Sequence, residues 1–338
     1  MATRSRRRLA MYLGAGVGAA GAGSVGALIG VLHAETRLAR RRIPQATEPP
    51  PVTDDTIWAA NGVGRRRPPI RLAMLGDSTA AGYGVLFDRE TPAAQIALGV
   101  SEAARRPVHV RNVAVVGAQS MQLPAQVAAL AGMTADLAVV MIGANDVTAR
   151  TPPGIAVPHL AETVRVLTAR GTEVVVGTCP DLGTIRPLAQ PLRAYARRLS
   201  RQMARAQTIA VVEAGGRSVS LGDLLGPLFM KNLDYFAADR FHPSAAGYAE
   251  AAGAVLPSAL DALGLRTRAR SASTFTTRRV KPVARAAAQA AARPGSEVAG
   301  AERFGRSENR RGALAQLRRR VPRRSRGLPP GATGAAAL

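Results

Sequence analysis

The sequence of 338 residues contains one cysteine, Cys179, and two lysines, Lys231 and Lys281. A single thiol closes no internal disulfide, so a disulfide-stapled scaffold is excluded. Four scattered histidines beside one cysteine likewise exclude a structural zinc cluster. Aromatic residues make up only 4% of the chain. The interleaving of basic and aromatic residues expected of a nucleic-acid-reading surface is therefore missing. Lysine is scarce, yet 46 basic residues face 22 acidic ones, for a formal net charge of +24. Arginine supplies nearly all of it, next to abundant alanine, a bias that a high-GC genome produces through codon usage.

The charge is unevenly spread. Residues 1–69 hold 11 arginines against 4 acids, and residues 266–338 hold 18 basic residues against 3 acids. Between them, residues 70–265 hold 17 basic and 15 acidic residues. A near-neutral globular domain thus lies between two basic flanks, and a fold that is basic throughout is excluded. The last segment is Arg, Ala, Ser, Gly and Pro with few large apolar side chains. Too little surface is available there to offset chain entropy, so residues 266–338 are expected to be disordered. Residues 36–69 are rich in proline and arginine and are assigned as a linker.

The run from Leu9 to His33 carries no formal charge over 25 residues and follows Arg4, Arg6, Arg7 and Arg8. That length suits a membrane-spanning helix. Residues 1–35 are therefore expected to be a signal anchor or an export signal, contacting the membrane and placing the domain outside the cytoplasm. Gly16, Gly18 and Gly21 match a dinucleotide-binding fingerprint, but an arginine cluster, not a strand, precedes them. No cofactor or metal is expected.

The central segment alternates. Apolar runs of strand length fall at Ile70–Leu75, Val108–Val115, Leu137–Ile142, Glu173–Gly177 and Ile209–Glu213. Helical patterns fall at Pro92–Ala104, Met121–Leu130, Val157–Arg170, Pro191–Ala206 and Ser244–Leu263. This predicts an α/β domain over residues 70–265: a three-layer α/β/α sandwich around a five-stranded parallel sheet of flavodoxin-like type. In such sheets chemistry gathers at the carboxyl ends of the strands.

Four groups of residues fall at those ends. Ser78 follows Gly76-Asp77 at the first strand-to-helix turn, where outward backbone N–H groups favour negative charge. Gly117 follows the second strand, where a glycine lets the backbone approach a substrate. Asn145 lies in Gly143-Ala-Asn145-Asp146 after the third strand and offers an amide donor. His242 follows Asp239 by three residues near the domain's end, a spacing that lets a carboxylate hold an imidazole in one tautomer. Each group alone is a weak signal, because turns are rich in Gly, Asp, Asn and Ser.

Together and in this order, they resemble the SGNH, or GDSL, hydrolases over residues 70–263. Gly76-Asp77-Ser78 with Gly82, then Gly117, then Gly143/Asn145/Asp146, then Asp239/His242 match that family's blocks. There is no GxSxG motif of the larger α/β-hydrolases. The resemblance implies a serine esterase or lipase with Ser78, His242 and Asp239 as catalytic triad. It implies an oxyanion hole from the Ser78 and Gly117 N–H groups and the Asn145 side chain. It implies a small-molecule or lipid acyl ester as substrate. The same site suits a carbohydrate O-acetylesterase or an acyltransferase of the cell envelope. A binding protein acting through its basic tail is the reading from another class, and no specific nucleic acid is expected as partner.

Two further features bear on substrate. Leu228, Phe229, Met230, Leu233, Tyr235, Phe236 and Phe241 cluster around the last block and are expected either to line an acyl pocket or to pack as a loop. Arg193, Arg197, Arg201 and Arg205 recur at helical spacing opposite Leu192, Ala196, Leu199 and Met203, a pattern expected of a solvated charged face.

Overall fold

The computed structural model describes residues 49–265 without interruption, with short pieces between 30 and 41 and between 281 and 319. Except for residues 30–32, the uncharged run lies outside the described residues, as does most of the basic tail. Among the described residues no helix is long and apolar enough to cross a membrane.

The sheet is built on β2 (Ile70–Gly76), β3 (Val108–Asn112), β4 (Leu137–Met141), β5 (Glu173–Gly177) and β6 (Arg217–Val219). These five are parallel, in the order β3-β2-β4-β5-β6. Both faces are covered, so the strands read as continuous apolar runs. Leu72 and Met74 of β2, with Leu137 and Val139 of β4, face one core layer with Ile96, Val100 and Val255. Ala73 and Leu75, with Ala138 and Val140, face the other with Leu123, Leu160 and Val211. The first layer is formed by α2 (Pro92–Ala104) and α8 (Ala245–Ala262). The second is formed by α3 (Leu123–Ala129), α5 (Pro153–Ala169) and α6 (Leu192–Glu213). Local capping agrees with this: Thr91 accepts from Ala94 N at the start of α2, and Ser244 from Gly247 N at the start of α8.

The five-stranded expectation needs correcting in three places. A sixth strand, β1 (Thr56–Trp58), runs antiparallel to β3 at the edge, inside the stretch assigned as linker. Asp54 fixes it there, accepting from Arg111 Nε and Asn112 N at 2.9 Å each, and Trp58 is buried in the core. Secondly, Ile209–Glu213 is not a strand but the last turns of α6. Its apolar run continues the buried stripe of Met203, Gln207 and Val211, and the fifth strand begins only after Gly215-Gly216. At three residues, β6 is too short to show a period. Thirdly, pieces of the basic tail are strands: β8 (Ser296–Gly300) pairs antiparallel with β6, β9 (Leu314–Arg319) with β8, and β7 (Lys281–Pro282) with β9. Val298 of β8 is buried.

The parallel register aligns the strand ends. Gly76, Met141 and Gly177 lie in one row across β2, β4 and β5. The loops that leave β2 and β4 at this row carry Ser78 and Asn145.

Candidate active site

Gly76 ends β2 with φ +139°, and a Cβ there would stand 1.9 Å from the Met141 carbonyl oxygen. No side chain fits, so the turn out of the strand demands glycine. Asp77 then caps α1 (Ser78–Ala81), its carboxylate accepting from Thr79 N at 2.9 Å, while Asp77 N donates to Met141 O. Burial pushes the Asp77 pKa up to about 6, against the opposing hydrogen bonds from Thr79. Asp77 therefore braces the turn that carries Ser78. Ser78 stands at the first position of α1, 7% exposed.

His242 joins Ser78 to Asp239. Its Nε2 lies 3.0 Å from Ser78 Oγ and its Nδ1 2.5 Å from Asp239 Oδ2. Asp239 Oδ1 accepts from Phe241 N and His242 N, both at 2.9 Å. Burial works against a charge on Asp239, but these hydrogen bonds outweigh it and hold the carboxyl below its ordinary pKa. The imidazole is held edge-on by two rings, Tyr83 at 4.7 Å and Phe241 at 4.9 Å between centroids. Tyr83 is fixed in turn by the buried Tyr248, whose hydroxyl donates to Tyr83 O at 2.7 Å. Neither tyrosine stood out in the sequence, since each acts through packing and carries no motif.

Gly117 lies in the turn after β3, exposed, with φ +83°. Asn145 begins α4 (Ala144–Thr148), and its Nδ2 donates to Ala118 O at 3.1 Å. The two are thus tied to each other. Asp146, fully buried, fastens them further by accepting from Ser120 N and, at 2.8 Å, from Ser120 Oγ. Both loops are linked to Ser78 through the backbone: Val115 N donates to Gly76 O, and Asp77 N to Met141 O. Neither Ser78 N nor Gly117 N has an acceptor among the described residues.

Two buried glutamines complete this frame. Gln126 clamps the Gly76 backbone, accepting from its N and donating to its O, each at 2.8 Å. Gln207 accepts from Cys179 N and donates to Ile142 O, so it ties the ends of β4 and β5 together. In the sequence Gln126 falls within the predicted helix Met121–Leu130 and Gln207 just past the end of Pro191–Ala206, and neither belongs to a motif. Cys179 is buried, which pushes its thiol pKa well up and leaves it unreactive.

A cavity of about 80 Å³ opens beside Ser78 and His242. Leu182, Ile185, Leu225, Phe229, Phe236 and Phe241 give it an apolar lining. The aromatic cluster is therefore divided: three phenylalanines line the cavity, while Met230 and Leu233 are 42% and 57% exposed. Phe229 belongs to α7 (Leu221–Lys231), a helix that the sequence pattern does not announce. On α6, Leu192, Ala196 and Met203 are buried as expected. Opposite them, Arg197 and Arg201 lie 3.3 Å and 4.0 Å from Asp181 Oδ2. Among the described residues, no three His, Cys, Asp or Glu side chains converge as metal ligands would.

This parallel α/β fold, with a serine at the end of its first parallel strand and a His–Asp pair after its last, defines a class of ester hydrolase. The chain belongs to the GDSL-like lipase/acylhydrolase family, whose model matches residues 74–250. A GDSL-like esterase of Mycobacterium tuberculosis (strain ATCC 25618 / H37Rv) is 44% identical over 233 residues, covering 67% of this chain and 74% of the relative. Among solved structures, TesA is 22% identical, over 57% of this chain and 99% of its own, with a TM-score of 0.44. An extracellular lipase from Streptomyces rimosus is 18% identical, over 56% and 99%, with a TM-score of 0.45. Family and relative together place this chain among the carboxylic ester hydrolases.

Proposed function

We propose that the protein hydrolyses acyl esters through a covalent acyl-enzyme on Ser78, with His242 as general base and Asp239 as its orienting carboxylate. The observation that carries this is the unbroken chain Ser78 Oγ–His242 Nε2, His242 Nδ1–Asp239 Oδ2. Asp239 accepts a hydrogen bond from Nδ1–H, and in that tautomer Nε2 is the free base, 3.0 Å from the hydroxyl it must deprotonate. Ser78 Oγ attacks the ester carbonyl, the proton passes to His242, and the Asp239 charge stabilises the imidazolium. His242 then protonates the departing alkoxide as the tetrahedral intermediate collapses. Water, deprotonated by the same imidazole, repeats the cycle and releases the acid.

The developing oxyanion is received by the N–H groups of Ser78 and Gly117 and by the Asn145 amide. An amide carries two N–H donors. One Asn145 N–H is held by Ala118 O, which fixes the group and leaves the second to donate. The acyl chain occupies the apolar cavity beside Ser78, where phenylalanines exclude water from the acyl-enzyme. The uncharged run at residues 9–33 supports an exported or membrane-anchored location with the catalytic domain outside the cytoplasm. Reporter fusions after residue 69 test that.

The catalytic reading is tested by fluorophosphonate labelling and p-nitrophenyl ester hydrolysis in wild type and Ser78→Ala. Loss of both, with an unchanged melting temperature, is expected. Hydrolysis by Ser78→Ala within tenfold of wild type overturns the assignment.

A further inference from the structure

Resting on that catalytic reading, we propose that Arg186, Arg193 and Arg240 form an anion subsite at the mouth of the acyl cavity. The preferred substrates are then esters that also carry a phosphate or carboxylate group. The three guanidinium-bearing residues line one groove of about 450 Å³ together with Pro187, Leu188 and Ala189. The groove and the acyl cavity are lined by consecutive residues at two points of the chain. Ile185 and Phe241 line the cavity, and their neighbours Arg186 and Arg240 line the groove. On this proposal an ester whose acyl chain fills the cavity directs its alcohol side toward the arginines.

Charge accounting sets these arginines apart from five others in the domain. Arg71, Arg111, Arg165, Arg197 and Arg201 each face a carboxylate. Arg186, Arg193 and Arg240 face none among the described residues, and no carboxylate lines the groove. The nearby acids are engaged: Asp181 with Arg197, Asp239 with His242, and Glu35 with Leu192 N at 2.8 Å. Two of the guanidinium groups are nevertheless held in place by backbone carbonyls. Arg193 donates to Leu188 O and Arg186 O, and Arg186 to Met230 O. A guanidinium carries five N–H donors, so both retain donors for a ligand. Positioned arginines without a protein anion suit bidentate binding of phosphate or carboxylate. Arg240 is also one of the few non-glycine residues with positive φ, +57°, and sits between Asp239 and His242. Residues held in that region tend to mark functional loops.

The test compares three soluble esters of one acyl length on the full-length protein: a 1-monoacylglycerol, a 1-acylglycerol 3-phosphate and an acyl ester of glycolate. At low salt, kcat/KM for at least one anionic ester is expected to exceed that for the neutral ester by tenfold or more, through KM. Preference for the phosphate ester with competitive inhibition by inorganic phosphate assigns a phosphate site. Preference for the glycolate ester alone assigns a carboxylate site. Arg186→Gln/Arg193→Gln should abolish the preference and leave the neutral ester within threefold of wild type. Should that double variant fail to fold, Arg186→Gln alone, which gives up a single backbone bond, should lower the preference at least threefold. Equal kcat/KM for the three esters in wild type, or a preference that survives these substitutions, overturns the subsite and leaves the triad untouched. Activity retained by Ser78→Ala would instead overturn the catalytic reading.

Discussion

Asp239→Asn separates orientation of the imidazole from mere packing around it. In the native site Asp239 Oδ1 accepts two backbone N–H groups and Oδ2 faces His242 Nδ1. Asparagine keeps an oxygen at the first position and puts an amino group at the second. That amino group donates to Nδ1, so the ring proton moves to Nε2. A protonated Nε2 cannot accept from Ser78 Oγ, although every heavy atom is in place. The same swap in a serine protease lowers kcat by roughly 10⁴, equivalent to about 5.4 kcal/mol of transition-state stabilisation.

Stability should respond far less. The variant keeps these hydrogen bonds but exchanges a charged acceptor for a neutral amide, a change on the order of 1 kcal/mol for each bond. Asp239→Ala should be worse in this respect, because the Phe241 and His242 N–H groups lose their acceptor, at roughly 1–3 kcal/mol each if they stay buried. The sign of the pH dependence follows from the depressed Asp239 pKa. A depressed carboxyl stabilises the fold above its unfolded pKa, and that contribution is lost as pH falls through the folded value. The stability gap between wild type and Asp239→Asn should therefore be constant near neutrality and shrink in acid. Measured are kcat/KM on a short p-nitrophenyl ester and urea midpoints from acid to neutral pH. A kcat/KM for Asp239→Asn within tenfold of wild type would refute the tautomer argument.

Asn145→Ala should lower kcat and kcat/KM together by about 10²-fold or more if the amide donates only to the transition state; an unchanged kcat on the same ester returns Asn145 to a loop-bracing role. Asp77, with its pKa raised to about 6 from 3.8, binds its proton more tightly folded than unfolded. Its contribution thus falls as pH rises between those values, by roughly 3 kcal/mol. Asp77→Asn should remove that decline, and a pH-independent gap in urea midpoint between variant and wild type would contradict it. A chain truncated near residue 266 should keep its activity on small soluble esters, because every proposed catalytic residue precedes it, but should melt earlier, because β6 loses β8 and the buried Val298. Loss of small-ester activity would show that the tail supports the site.

Legibility in the sequence followed the physics of each element. The central strands were readable because burial on both faces writes an unbroken apolar run, as in Leu137–Met141. The proposed site residues were readable because each follows a strand or sits in a block of fixed spacing. Where period failed, so did the reading. Thr56–Trp58 and Arg217–Val219 are three residues each, less than two repeats of a two-residue alternation. Ile209–Glu213 is strand-like in composition, yet it buries Val211 one helical turn after Gln207.

The polar frame was unreadable for a different reason. In the sequence Gln126 and Gln207 are polar positions outside every motif, and their worth depends on which backbone groups lie opposite. Gly76 and Cys179 supply those groups, and both lie at strand ends far away in sequence. A strand end that launches a functional loop has unpaired N–H and C=O groups, and burying them unpaired costs free energy. A side-chain amide is the cheapest partner, since it offers donor and acceptor in one plane without charge. The same requirement places Asp146 under the loop that carries Gly117, where the N–H and the O–H of Ser120 both need an acceptor. The site residues are thus held by buried polar ones outside the site, and substitution of Gln126 should disturb Ser78 without touching substrate. Gln126→Leu, close in size but unable to pair, leaves Gly76 N and O unsatisfied at a turn where no side chain fits. Its loss should appear in both melting temperature and kcat, whereas a surface glutamine would move neither.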